Sequence, residues 1–501
     1  MKEKFTFRFA VNVSTNAMGF LASYLFALKA EVALVGVMGF ASSLVGTFAS
    51  FTSLGVEQVY VQHNDEPEFR EYFTTLLAMR GVLIGGWVLP YAAYVLATGD
   101  QYRAYMLMVG VADLLVRVTG VFTWHLKARL KVYKADMPLF AFFAAYSVVK
   151  VVVALNLDSI SRPLDVLAAT SIATGACQLF TIAWIGRGEY AFSRFRGKLA
   201  GQLLREAKPL IVGNVVGMLV TNLGNVLVDV SFGHEDFAYY YFVNTYVIQV
   251  LLGVSGAFTD IYVAHFSRLY QRGEVEQIAA FAKRLERYSS IAFGWVAFVS
   301  ILTADLVFSL VIPNYLPGLR YLYLLAFVPY LAAVNRPYAK LFYACRRQDV
   351  LAKYSVVKVV ARMVLTFVIV PTSVFGARAL GLGATGLSLL TLGMWTVDFV
   401  AQRAFSRRLF GVSSNRGTFL HLGVGFSALS LVAAVRAALQ PALGSGVVVL
   451  LVTVGLFSCA YFGCLYLLRQ INRGDLRFVK ELLKPRNYVR DFRQEFGEAP
   501  Q

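Results

Sequence analysis

Apolar stretches of about 20 residues, separated by short polar turns, recur from the amino terminus to residue 468. A soluble chain would interleave polar positions at helical or strand spacing. The runs predict fourteen helices, near 7–28, 32–61, 76–98, 104–125, 137–157, 164–186, 208–231, 238–265, 289–312, 319–343, 353–371, 380–402, 418–438 and 443–468. The short alternating segments of a membrane β-barrel do not occur. Lipid offers backbone amides no partner, so such runs fold as helices. The fold class is all-α and polytopic.

The polar turns add a direction. With alternate turns assigned to alternate sides, about 35 Lys and Arg fall on the side of both tails. The other side has Lys29, Arg103, Arg162, Arg320, Arg378 and Arg436. This asymmetry predicts an even helix number and cytoplasmic termini in the cell membrane. It also accounts for the formal charge of +18 without nucleic acid. Lys2, Lys4 and Arg8 resemble a signal-peptide start, but Asn12, Ser14, Thr15 and Asn16 interrupt the following run. A retained first helix is expected.

Internal repetition sets the domains. Val59-Tyr60-Val61-Gln62-His63 is echoed by Ile261-Tyr262-Val263-Ala264-His265, an offset of 202 that also brings Asn12 onto Asn214. Tyr-Ser-Val-Val-Lys-Val-Val stands at 146–152 and again at 354–360, an offset of 208. The expected plan is a six-helix lobe (1–186), a basic cytoplasmic linker (187–207), a second six-helix lobe (208–402), two further helices (403–468) and a basic tail (469–501) suited to anionic headgroups. Parallel repeats with a site between them are a transporter plan. Between 266 and 288 a surface helix is expected, with Val275, Ile278, Ala282 and Leu285 on one face and Lys283, Arg284 and Arg287 on the other. Gly81 with Gly85, and Gly213 with Gly217, have close-packing spacing. Cys177, Cys345, Cys459 and Cys464 read as packing residues, with no zinc spacing.

Charges inside the runs carry the candidate chemistry. Each heptamer buries a lysine, Lys150 or Lys358, and Arg362 follows Lys358 by one turn. Arg117 stands four residues after Asp113, and Arg336 lies in the tenth helix. A cation at mid-bilayer costs about 3 kcal/mol on insertion scales and marks a cavity or a partner. Asp113–Arg117 fits an internal ion pair as well as a binding role. The other cations have no acid one turn away, which suits an anion that comes and goes. Arginine's planar fork and lysine's point charge both suit pyrophosphate. Asn12 and Asn16 share a face, as do Asn222, Asn225 and Asp229; they fit helix packing or sugar hydroxyls. Glu57 and Asp260 fit ion coupling, or equally a helix cap or hinge. Gly381-x-Gly383-x-x-Gly386 matches a dinucleotide fingerprint but opens a membrane helix with no strand before it. No phosphate-loop lysine, nucleophile triad or paired carboxylates point to an enzyme, a metal or a cofactor.

Two six-helix lobes, two trailing helices, the basic 266–288 turn and the Gly381–Gly386 run together resemble the polysaccharide-type flippases of the MATE-like MOP exporter superfamily. The resemblance implies alternating access by two rocking lobes and export of an undecaprenyl- or dolichyl-type lipid-linked glycan. It implies partners too: that substrate, membrane lipids, Na+ or H+, and the glycan-assembly enzymes of the pathway. A drug or metabolite antiporter would call for acidic cavity residues, and a polysaccharide polymerase or ligase for a long outer loop; this chain has mainly basic mid-helix charge and short outer turns.

Overall fold

The computed structural model describes residues 2–52, 54, 56, 60, 69–129, 131–190, 192–256, 266, 269–270, 272–345, 347–374, 376–443 and 446–471. In chain order the described helices are α1 (Lys2–Lys29), α2 (Val32–Ala49), α3 (Phe69–Thr98), α4 (Arg103–Ala128), α5 (Val132–Leu155), α6 (Pro163–Ile185) and α7 (Gly197–Phe232). Then come α8 (His234–Tyr241), a π-helical segment Phe242–Ile248, α9 (Gln249–Gly256), α10 (Val275–Val311), α11 (Leu319–Leu325) and α12 (Val328–Ala344). The last are α13 (Gln348–Ile369), α14 (Gly383–Phe410), α15 (Gly417–Leu443) and α16 (Val447–Leu467). A two-residue antiparallel hairpin, Ser373–Val374 with Ala377–Arg378, joins α13 to α14.

Eleven of the described helical segments are long and apolar enough to cross a membrane. The chain is a multi-pass, all-α membrane protein, as expected. The shortfall from fourteen has local causes. In α1 the apolar stretch that can be described is Ala17–Lys29, and the expected eighth helix runs partly outside the described residues. Helix α13 is long enough, but it carries Lys353, Lys358 and Arg362.

Two compact units emerge. One comprises 11–250 and 347–394; the other comprises 1–10, 251–346 and 395–501. In the first, α2 packs on α7 and α8, α4 on α6, and α13 on α7. Gly36 sets the closest approach there, since a Cβ would collide with the His234 carbonyl. In the second, α10 is the axis for α12, α15 and α16. Phe298, Leu302, Ala428, Val432, Phe457 and Tyr461 form its apolar core.

Several expectations change. The surface helix of 275–288 is the first part of α10, one continuous 37-residue helix. Continuity spares the orphan amides and carbonyls that two extra helix ends would create. Its apolar face turns inward: Ile278 and Ala282 pack with Phe266, Tyr338 and Leu341 rather than on lipid. Helix α7 begins at Gly197, within the stretch read as a linker. Leu199, Leu203 and Ala207, four apart, bury one face against Tyr72 and Phe73. A Cβ at Gly81, Gly85 or Gly217 would meet no described atom within 4 Å, so these glycines are not packing contacts. Cys345 is buried, whereas Cys177, Cys459 and Cys464 are exposed on membrane helices.

Glu286 of α10 was not foreseen. It is 0% exposed, and both oxygens are filled. Arg403 Nη2, Ser414 and Thr418 donate to Oε1 at 2.8, 3.1 and 3.0 Å; Tyr338 and the Asn415 amide donate to Oε2 at 2.6 and 2.7 Å. Arg403 also donates to Asn335 Oδ1 at 3.1 Å and to the Val334 and Phe399 carbonyls, both at 3.0 Å. Breaking a buried pair on one side leaves the other charge unsolvated, at about 3–5 kcal/mol. Equilibrium unfolding in detergent should therefore show Glu286→Ala losing about that much stability. Glu286→Met combined with Arg403→Leu should recover most of it, because neither charge is then stranded.

Candidate functional site: cations within the membrane helices

Lys150 lies in α5 and is 5% exposed. Its Nζ donates to Ser23 Oγ of α1 at 2.8 Å. The ring centroids of Phe26 and Tyr246 are each 5.7 Å from Nζ, within range of cation–π attraction. No carboxylate partners it among the described residues. Tyr246 belongs to the π-helical segment, whose widened turn re-aims side chains and recurs at functional sites. One hydrogen bond to a charged group contributes about 1.5–3 kcal/mol. Each ring adds about 0.5–1 kcal/mol. These terms are comparable to the insertion cost, so the ammonium is tolerated while, among the described residues, only one of its three N–H groups has a hydrogen-bond acceptor.

Arg117 is placed differently. Its guanidinium is paired with Asp113 one turn back, and Nη1 donates to Thr52 Oγ1 at 2.7 Å. The ion-pair reading of this spacing is the one observed. Arg80 of α3 lies within electrostatic reach of Arg117. It sits only four residues inside the expected third helix, near that helix's end, and so was not among the mid-helix candidates.

The remaining described candidates each have neighbours of their own. Lys358 Nζ stands 5.9 Å from the Tyr354 ring, one turn back on α13. Arg362 is within electrostatic reach of Tyr240 of α8. Arg336 belongs to the other unit, where Nη2 donates to the Leu252 carbonyl at 2.8 Å. Asn225 donates to Ser43 Oγ at 3.1 Å, and Asn222 to the Met218 carbonyl at 2.9 Å. The side chains of Asn12 and Asn16, and all of Glu57 and Asp260, lie outside the described residues. The two heptamers thus diverge: Lys150 is buried and Lys358 half-buried.

Two histidines fasten the ends of the first unit. His125 Nε2 faces the Glu189 carbonyl at 3.0 Å; a carbonyl only accepts, so Nε2 carries the proton and Nδ1 accepts from Tyr60 at 2.6 Å. At the other end, His234 Nδ1 donates to Asp229 at 2.8 Å, between the rings of Phe40 and Tyr102. The bond to Asp229 raises the His234 pKa above its ordinary 6.5, with Asp100 adding to the effect.

The chain matches the family described as "Polysaccharide biosynthesis protein" over residues 33–317. No curated protein sequence matches it. Among solved structures it is similar to the lipid II flippase MurJ in an inward closed conformation, with a TM-score of 0.65 at 12% identity over 92% of this chain and 100% of that one. An inward-facing multidrug resistance MATE family transporter of the MOP superfamily gives 0.58 at 12% identity, over 81% and 100%. A MOP superfamily transporter from Pyrococcus furiosus Vc1, described as having a binding pocket of reversed polarity, gives 0.50 at 11%, over 80% and 94%. At such identities the likeness establishes the fold.

Lys150→Met should keep or raise the unfolding free energy in detergent, by up to about 4 kcal/mol, because an apolar isostere removes a buried charge. A fall of that size would show the ammonium to be a structural tie. His234 gives a pH signature. Its pKa is raised on folding, so its stabilisation is complete below the unfolded value near 6.5 and fades as pH rises through the higher folded value. Unfolding midpoints between about pH 5 and 8 should decline with pH, and His234→Gln should flatten that slope.

Proposed function

The chain belongs to the polysaccharide biosynthesis protein family, and from that premise we propose that it is a flippase carrying a lipid-linked oligosaccharide or polysaccharide precursor to the outer leaflet of the cell membrane. Its termini are cytoplasmic, and it works by alternating access between lobes 1–186 and 208–402, without catalysis. The observation that carries the reading is Lys150, a buried ammonium with no carboxylate partner among the described residues. A phosphate arriving at such a group regains in one contact the charge neutralisation that the bilayer withholds.

The cations then take graded roles. Lys150 is the principal phosphate contact. Lys358, Arg362 and Arg336 assist along the path, and Arg117 contributes least because Asp113 already neutralises it. Asn222 and Asn225 each keep a carbonyl oxygen for sugar hydroxyls beyond the bonds their amides donate. Asn12 and Asn16 are proposed for the same role. Sodium or proton coupling would fall to Glu57 and Asp260. The glycan-assembly enzymes of the pathway supply the cargo.

Export of an anion is favoured by the membrane potential. One negative charge leaving an inside-negative compartment releases about 2.3 kcal/mol per 100 mV, roughly a 50-fold shift in distribution. Proteoliposomes holding a fluorescent polyprenyl-pyrophosphate sugar test this directly. Translocation should quicken when the departure side is made negative, slow under the opposite sign, and be lost in Lys150→Ala. Rates indifferent to a potential of either sign would sink the reading.

A further inference from the structure

At the end of the first unit away from the basic turns, a hollow of about 490 Å³ opens between three connections. It lies among the α1–α2 joint, the turn before α4, and the short link from α5 to α6. Lys29 and Glu31 line it from the first, Gln101 from the second, and Asp158, Arg162 and Asp165 from the third. Such a volume falls within the range that holds one small organic ligand.

The lining identifies the ligand class. Three carboxylates face two cations, and Arg162 is within 3.9 Å of Asp165. The net sign is negative, so a phosphate would be repelled where Lys150 would attract it. Carboxylate acceptors, an amide and cationic donors around one polar space match a ring of vicinal hydroxyls. The hollow also stands in register with Lys150. Ser23, which holds the ammonium, precedes Lys29 by six residues on α1, roughly 9 Å of helix rise. On the α5 side, Lys150 precedes Leu157 of the lining by seven residues.

We infer that this hollow is a saccharide subsite, taking neutral or amine-bearing sugar units while Lys150 takes the anionic linkage about one and a half helical turns away. The assignment of a sugar rests on the flippase reading. It places the polar body of the cargo and its charged joint on one pair of helices, α1 and α5.

The test uses the full chain, purified in detergent, with soluble probes and no transport step. Saturation-transfer NMR with glucose, N-acetylglucosamine, galactosamine and glucuronic acid reads the subsite, and inorganic pyrophosphate reads Lys150. Neutral and amino sugars should give saturable signals, with glucuronate weaker. Gln101→Ala with Asp158→Asn changes two exposed side chains. It should weaken sugar binding at least tenfold and leave the unfolding midpoint and pyrophosphate binding unchanged. Lys150→Met should do the reverse. Sugar signals that are absent, or that persist unchanged in the double variant, overturn the subsite whatever the flipping assay gives. Sugar signals that follow the variants while flipping never occurs leave the subsite standing and overturn the transport reading.

Discussion

Where burial excludes water, an ionised side chain must be solvated by the protein itself. Glu286 and Lys150 meet that constraint to opposite degrees. Glu286 receives five donors, one of them the cationic Arg403, which leaves its oxygens no capacity for anything else. Lys150 has one hydroxyl acceptor and two aromatic rings. The first arrangement is complete and therefore structural. The second suffices to insert the charge and leaves N–H capacity open, as a reversible anion site requires.

The same constraint shapes the helices around these groups. Helix α10 runs unbroken through the turn where a separate surface helix was expected, which keeps its backbone amides paired and delivers Glu286 beside Arg403. Helix α13 accepts three cations over one span because it packs on α7 and does not stand alone in lipid. Arg117 is neutralised within its own helix, at a spacing that lets α4 insert with no net charge from that pair. Fold similarity at 12% identity is consistent with this. What must be preserved is the order of apolar spans and the places where charge is sheltered, and many residue choices satisfy both.

That also explains what could be read from the chain beforehand. The spans were legible because lipid acts on every residue of a run and leaves a long, redundant signal. Asp113–Arg117 was legible as a pair because helical geometry alone brings the two together. Lys150 was legible as a buried cation, but its acceptor Ser23 lies 127 residues away, and no local pattern points to it. Glu286 was not singled out, since its partner Arg403 is 117 residues distant. Glycine spacing misled, because Gly81 and Gly85 have the right interval but no described atom within 4 Å of an added Cβ, whereas Gly36 has no such motif and meets the His234 carbonyl.

The fold leaves the sign of the cargo undecided, and side chains must supply it. Among structures of this architecture, the P. furiosus transporter is described by a binding pocket of reversed polarity. In the present chain, mid-helix charge is mainly cationic and Asp113 is already occupied, so a cationic drug would find its candidate acid taken. An anion would find Lys150 open, and on the flippase reading it would carry its charge outward while the lysine stays in the helix. The charge that crosses is then the cargo's alone, and an inside-negative potential drives it in the direction export requires. On that reading the buried ammonium would set the preference for an anion, and the anion's negative charge would set the direction of transport.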